Sequence, residues 1–217
     1  MNALLIIGSP KGKTGTSYAL GGALLARLAA AGWETAVMTA ATALSSLEKQ
    51  EDFGRAADRA DLILFSFPLY VDQLPAPVIR SIEVLAGRQA AKNQKIAAVI
   101  QCGFPETHQN QPAVDIMRIF AQKTGRGWAG ALAMGMGGAV GRRPLDKAKG
   151  IQKNTVKALD LAAASLASGG DIPEEASVLF AKPLMPKALY FAAANFGMKI
   201  QARQHGAGKR VYDRPYD

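Results

Sequence analysis

Cysteine is almost absent from this chain of 217 residues: Cys102 stands alone. One cysteine excludes an internal disulfide and cannot by itself ligate an iron–sulfur cluster. Redox chemistry, if there is any, must then come from an organic cofactor or a partner. Acidic residues are also short, 17 against 26 lysines and arginines, for a formal charge of +9. That balance favours anionic ligands. It does not point to nucleic acid, because the basic residues are scattered and no recognition-helix, zinc-finger or RNA-binding-strand signature is present. Long hydrophobic runs are missing too. The Ala-rich stretch near Leu20 is cut by Arg27, and Trp128 to Gly141 falls short of the roughly twenty apolar residues of a membrane span. The chain enters a strand at once, with no basic region and no small-residue cleavage site, so a cytoplasmic protein is expected. What is present is a 49% hydrophobic composition, enough for a substantial core in one α/β domain with an appendage.

The stretch Leu4 to Ser17, LLIIGSPKGKTGTS, is the most informative. An apolar run of strand length ends at Gly8, passes through small, hydroxyl and basic residues, and opens at Thr16 and Ser17 into a helical pattern. Ser9, Thr14, Thr16 and Ser17 offer hydroxyls, and a helix start offers free N–H groups and a positive dipole end. A dinucleotide fingerprint needs glycine two places after Gly8, where Pro10 stands instead. The second strand also runs into Thr39 and Ala40 rather than an acid for a ribose hydroxyl. A Walker A loop needs four residues between its glycines, and Gly8 and Gly12 enclose only three. Two readings remain: a lone terminal phosphate of a mononucleotide held without metal, and an ordinary Gly/Thr turn that binds nothing.

Leu20, Leu24, Leu28 and Ala31 then recur at helical spacing, with Gly32 as a stop. Strands are expected at Glu34 to Met38, Leu62 to Phe65, Ile96 to Gln101 and about Ala129 to Met136. The intervening helices are expected at about Ser45 to Arg59, Ala76 to Leu85 and Pro112 to Lys123. This alternation predicts a parallel sheet with right-handed crossovers. Pro68, Pro75 and Pro77 stiffen the loop after the third strand, where open α/β sheets bind ligands. There Tyr70 presents an aromatic face, and the N–H groups of Leu69 to Val71 are placed to meet the rim of a planar heterocycle. The loop after the fourth strand carries Cys102, Gly103, Phe104, Glu106 and His108. His108 is a candidate hydrogen-bond donor to cofactor or substrate, or a solvated side chain; Cys102 reads as a small buried apolar residue. Gly135, Gly137 and Gly141 imitate a dinucleotide motif at the wrong spacing. Arg142 and Arg143 are candidates for the phosphates of a nicotinamide nucleotide, or a solvated pair.

The segments GSPKGKTGTS, FPLYVDQLPAPV and the loop after Gln101 resemble, in order and spacing, the NADPH-dependent FMN reductase and flavodoxin-like NAD(P)H oxidoreductase family. The ending MPKALYFAAANFGMKIQARQHG with its distal RPY resembles bacterial members related to the iron–sulfur flavoproteins, whose cluster cysteines this chain lacks. The resemblance implies a flavodoxin-like, doubly wound five-stranded parallel α/β sheet of order 2-1-3-4-5. It implies FMN as cofactor, its phosphate on Ser9, Lys11, Thr16 and Ser17 and its ring against Pro68, Leu69, Tyr70, Val71, Gly103 and Phe104. The activity implied is ping-pong hydride transfer from NADPH or NADH to a quinone, a nitro or azo compound, a metal ion or free flavin. A flavodoxin-type electron carrier is the alternative, though such carriers are usually acidic.

Residues 1–168 are expected to form the FMN-binding domain and 169–217 a helical extension. On a helical wheel for 186–204, Leu189, Ala193, Phe196 and Ile200 make one apolar stripe, and Phe191, Ala194, Met198 and Ala202 another nearly opposite. One stripe is expected on the parent domain and the other in a homodimer contact that brings the basic tail Lys209 to Arg214 near a partner's site. A membrane-surface helix is the competing idea.

Overall fold

The apolar run at the start of the chain becomes an interior strand of the sheet, flanked on both sides. In the computed structural model, which describes residues 1–141, 145 and 150–214, the elements follow as β1 (Asn2–Ile7), α1 (Thr16–Ala30), β2 (Glu34–Thr39), α2 (Ala40–Ala43) and α3 (Leu47–Asp58). After these come β3 (Leu62–Pro68), α4 (Ala76–Ala86), β4 (Lys95–Gln101), α5 (Gln111–Lys123) and β5 (Gly127–Met134). Helices α6 (Lys153–Ala167), α7 (Glu174–Phe180) and α8 (Lys187–Gln204) complete the chain. All strand pairs are parallel and the sheet order is β2-β1-β3-β4-β5, as expected.

β1, β3 and β4 read as near-continuous apolar runs because both faces of a parallel sheet are covered. Successive side chains alternate between the two layers. Leu5 and Ile7 join Leu20, Leu24 and Leu28 of α1 and Leu159 and Ala162 of α6. Leu4 and Ile6 join Phe53 of α3, Val78 of α4 and Met117 of α5.

The helix expected over 45–59 is α3, capped by Ser46, whose Oγ accepts the Lys49 N–H at 3.3 Å; the short α2 before it is an additional element. The end of the sheet departs from expectation. The last strand starts and stops two residues early. Met136 takes a left-handed φ of 57° and donates its N–H to Phe104 O at 2.7 Å, so the chain leaves the sheet and binds back onto the neighbouring loop. Helices α6 and α7, unmarked in the sequence pattern, finish the layer over α1 and β5. Ile172 N–H bonds Ala129 O at 2.7 Å and Ser177 Oγ bonds Ala131 O at 3.0 Å, covering the β5 edge. This close approach explains Gly130, whose φ is 99° and where a Cβ would stand 3.0 Å from that of Ile172.

Helix α8 behaves differently. None of its residues is buried: Tyr190 packs partly against the core, but the large residues of both stripes, Leu189, Phe191, Phe196, Met198 and Ile200, are exposed. No helix among the described residues is long and apolar enough to cross a membrane.

Candidate functional site

Gly8 ends β1 in close contact with β3. Its N–H donates to Ser66 O at 2.9 Å, and a Cβ there would lie 2.7 Å from that of Phe67 and run into Val78. The loop beyond closes on itself. Gly12 N–H bonds Ser9 O at 3.0 Å, Lys11 N–H bonds Ser9 Oγ at 3.3 Å, and Thr14 Oγ1 donates to Lys11 O at 2.8 Å. Thr14 is therefore a brace within the loop, its hydroxyl proton already committed. Gly12, at φ 53°, permits the single tight turn Gly12–Thr14.

Helix α1 opens behind this loop with Gly15 as N-cap, no side-chain cap and no acid in its first turn. Tyr18 and Ala19 donate to Gly15 O, while the N–H groups of Thr16 and Ser17 meet no described carbonyl. Ser17 Oγ is buried and without a hydrogen-bond partner, although its own carbonyl accepts Ser66 Oγ at 2.7 Å. An unsatisfied buried hydroxyl costs about 1–3 kcal/mol. With free N–H groups, the positive end of a 15-residue helix dipole and the exposed Lys11 and Lys13 beside it, the mouth of α1 suits an anion the size of a phosphate.

The loop after β3 is a miniature hairpin. Tyr70 and Gln73 exchange backbone bonds at 3.0 and 3.1 Å, and Val71 and Asp72 at its tip have φ of 51° and 58°. This corrects the expectation for the ring contacts. The Leu69 N–H is committed to Gln101 O at 2.9 Å and the Tyr70 N–H to Gln73. Pro68 and Leu69 also have their side chains in the core. The uncommitted N–H groups are those of Val71 and Asp72, with the exposed ring of Tyr70 beside them.

The loop after β4 is held from beneath. Asn110 is fully buried, and its Nδ2 bonds Thr107 O at 3.0 Å and Met134 O at 3.1 Å. That clamps the loop to the end of β5. Cys102 lies 3.5 Å from the same amide nitrogen. Burial pushes its thiol upward from its ordinary value, so it is an inert packing residue. Gly135 and Gly137 are packing glycines: a Cβ on the first would meet the Pro105 carbonyl at 2.5 Å, and on the second the Gln101 side chain. Gly103 and Phe104 stand exposed at the surface. His108 is exposed in a short turn, and its side chain makes no hydrogen bond among the described residues.

Two residues unnoticed in the sequence reach this loop from α8. Tyr190 donates its hydroxyl to Gly103 O at 2.6 Å, and Lys187 Nζ lies 2.7 Å from Glu106 Oε1. The ammonium holds the Glu106 carboxyl below its usual range; partial burial raises the Tyr190 phenol. Arg142 and Arg143 lie outside the described residues.

The three loops thus leave the carboxyl ends of β1, β3 and β4, which are neighbours in the sheet. The sequence of connections reverses between β1 and β3, the crevice where doubly wound sheets take ligands. An anion-accepting helix mouth stands beside two loops that expose aromatic faces, Tyr70 and Phe104. Among the described residues no group of three or more His, Cys, Asp or Glu could hold a metal ion.

No protein-family model and no curated protein sequence matches the chain. Solved structures do. An NADH:FMN oxidoreductase is similar at TM-score 0.59 and 14% identity, over 81% of this chain and 93% of that one. The NAD(P)H:quinone oxidoreductase of Methanothermobacter marburgensis gives 0.55 and 15%, over 76% and 98%. The flavodoxin of Streptococcus pneumoniae TIGR4 gives 0.54 and 18%, over 78% and 99%. At these identities the likeness shows the flavodoxin-like fold.

Proposed function

We propose that the protein is an FMN-dependent oxidoreductase that passes hydride equivalents from NADPH or NADH to a second small-molecule acceptor. The observation that carries this is the mouth of α1: a buried, unpartnered Ser17 hydroxyl and two free N–H groups beside exposed lysines. Named structural neighbours of both oxidoreductase and flavodoxin type support a flavin in this fold.

In this reading Thr16 and Ser17 hold the FMN phosphate through their N–H groups and hydroxyls. Ser9 shapes the turn around it and Lys11 supplies charge. The Val71 and Asp72 N–H groups are the donors available to the rim of a ring, with Tyr70, Gly103 and Phe104 as its neighbours. FMN supplies the chemistry when bound, accepting a hydride from the nicotinamide and releasing the electrons to the acceptor. The chain's own contribution is to bind, orient and shield. No proton-transfer residue is assigned, and no cluster is invoked, since Cys102 is the only cysteine. The charge of +9 favours the enzyme over a flavodoxin-type carrier. We further read the protein as cytoplasmic, with small-molecule rather than nucleic-acid partners, and as a homodimer through the extension 169–217.

The test is titration with FMN, followed by anaerobic NADPH. Replacing Thr16 and Ser17 together with alanine removes two hydrogen bonds to a charged group, each worth roughly 1.5–3 kcal/mol, so affinity should fall more than tenfold. Unchanged affinity puts the phosphate elsewhere. FMN that binds but is bleached anaerobically by neither NADPH nor NADH makes the protein a carrier.

A further inference from the structure

Along the loop after β4 every carbonyl from Gln101 to Phe104 is taken. The main chain holds three of them: Leu69 N–H bonds Gln101 O at 2.9 Å, Gly137 N–H bonds Cys102 O at 2.9 Å, and Met136 N–H bonds Phe104 O at 2.7 Å. The carbonyl of Gly103 is held instead by a side chain, the hydroxyl of Tyr190 at 2.6 Å. This is also the peptide with the most room to turn. Gly103 has no Cβ, and nothing stands within 4 Å of where one would be, so its own torsions do not fix the plane that follows it.

A trans peptide points its C=O and the following N–H in opposite directions, and no described peptide bond is cis. With the Gly103 carbonyl turned onto α8, the Phe104 N–H faces away from that helix, at the carboxyl end of β4. Among the described residues nothing accepts it. The hydroxyl that sets this orientation is itself well placed. A Cβ added to Gly138 would lie 3.5 Å from it, so it sits between the loops after β4 and β5. Leu184 and Met185 pack on the core just before α8, and Lys187 Nζ meets Glu106 Oε1 at 2.7 Å. The first turn of α8 is thus fixed to the body of its own chain, independently of the exposed remainder of the helix.

We propose that Tyr190 is a positioning residue of the candidate site: its hydroxyl fixes the peptide between Gly103 and Phe104 so that the Phe104 N–H stands ready as a hydrogen-bond donor to the rim of a bound flavin. The inference rests on the flavin reading of the site. A donor set in place beforehand needs no reorganisation as negative charge builds on the reduced ring. A hydrogen bond to a charged acceptor is also roughly twice as strong as one to a neutral acceptor. Tyr190 therefore favours reduced over oxidised cofactor, and it does so through the peptide that it holds.

The experiment compares the full chain as wild type, as Tyr190→Phe, and as Tyr190→Phe combined with Gly103→Ala. Phenylalanine keeps the ring that packs on the core, so far-ultraviolet dichroism should not change. In the flavin-free, 15N-labelled protein the Phe104 amide should give one sharp resonance in wild type and should broaden or split in Tyr190→Phe. With FMN, Tyr190→Phe should weaken binding of the reduced form about tenfold more than that of the oxidised form, a fall of about 30 mV in the two-electron potential. Gly103 does not take a left-handed φ, so alanine fits there and narrows the freedom of the same peptide. The double variant should therefore recover more than half of that fall. An unmoved Phe104 resonance or an unmoved potential in Tyr190→Phe would overturn the proposal. A fall that Gly103→Ala does not recover would assign the effect to the phenol itself and overturn the positioning role. Wild type that binds no FMN would refute the flavin reading, and the Phe104 resonance would then decide by itself whether Tyr190 sets the peptide.

Discussion

Val71 stands at the tip of the hairpin after β3 with φ 51°, next to Asp72 at 58°. An L residue in the left-handed region loses roughly 1–2 kcal/mol to the contact of its Cβ with the following carbonyl. A β-branched residue there is a genuine outlier. Val71 recovers nothing by packing, since it is 95% exposed. Asparagine tolerates this conformation, so Val71→Asn should stabilise the flavin-free protein by about 1 kcal/mol, which for a chain of this length is about 2–4 °C in Tm. Asp72→Gly added to it should gain less, because glycine's freedom in the unfolded chain offsets about 0.5–1 kcal/mol. Val71→Ile is the control. It keeps the branched Cβ and should leave the midpoint in place. Urea unfolding followed by far-ultraviolet dichroism reads all three. A Val71→Asn midpoint at or below wild type would refute the argument that the tip is strained. If the tip N–H groups face a flavin rim, the same variant should keep FMN affinity within about threefold, because the backbone donors are unchanged.

Gly137→Ala drives a Cβ into the buried Gln101 side chain and should cost about 1–3 kcal/mol in urea unfolding; an unshifted midpoint would show that the loop yields freely. Asp58 receives both arms of the Arg88 guanidinium, at 3.0 and 2.6 Å, and this hydrogen-bonded charge lowers its pKa from 3.8. The pair's contribution is therefore present above pH 3.8 and lost as pH falls through the lower folded value. The site is partly exposed, so Asp58→Asn should destabilise by no more than about 1 kcal/mol at pH 7. The difference from wild type should shrink as pH falls below 3.8 and vanish once the folded-state carboxyl is protonated, and a gap that persists in the acid limit would mean that the aspartate acts through packing instead.

The crossover architecture was readable because each signal had one physical outcome. Apolar runs of strand length alternate with helical patterns, and such a chain closes only as a parallel sheet. Gly32 was readable as a stop and takes a φ of 90° after α1. Helix α6 gave a weak pattern because three of its seven buried residues are alanine, Ala158, Ala162 and Ala163, and alanine marks no face. Helix α7 spans only seven residues, too few for a period to show. At the site, the phosphate loop announced itself through glycine and hydroxyl punctuation. The hairpin tip did not, since Val-Asp carries none of the glycine or asparagine that normally signals such a turn. The Leu69 and Tyr70 N–H groups were thus free on paper and committed in the fold. Asn110 and Tyr190 were invisible for another reason. Each bonds backbone carbonyls, Tyr190 across 87 positions of sequence, and a carbonyl partner leaves no trace in side-chain spacing.

Helices α1 and α8 carry the same apolar spacing to opposite ends. Leu20, Leu24 and Leu28 are wholly buried, whereas Leu189, Phe196 and Ile200 are 57%, 68% and 38% exposed. Hydrophobicity does not separate them, but connectivity does. Helix α1 joins two adjacent parallel strands, so the right-handed crossover presses it onto the sheet whatever its exact composition. Helix α8 follows the last strand and two further helices, so no second strand pins it down. An apolar stripe states that a face must be covered; it names the chain that covers it only where the backbone on both sides leaves one place to go. For α8 the backbone fixes the root alone, at Lys187 and Tyr190 on the loop beside the candidate site. The rest of the helix is therefore left without a place on the body of the fold.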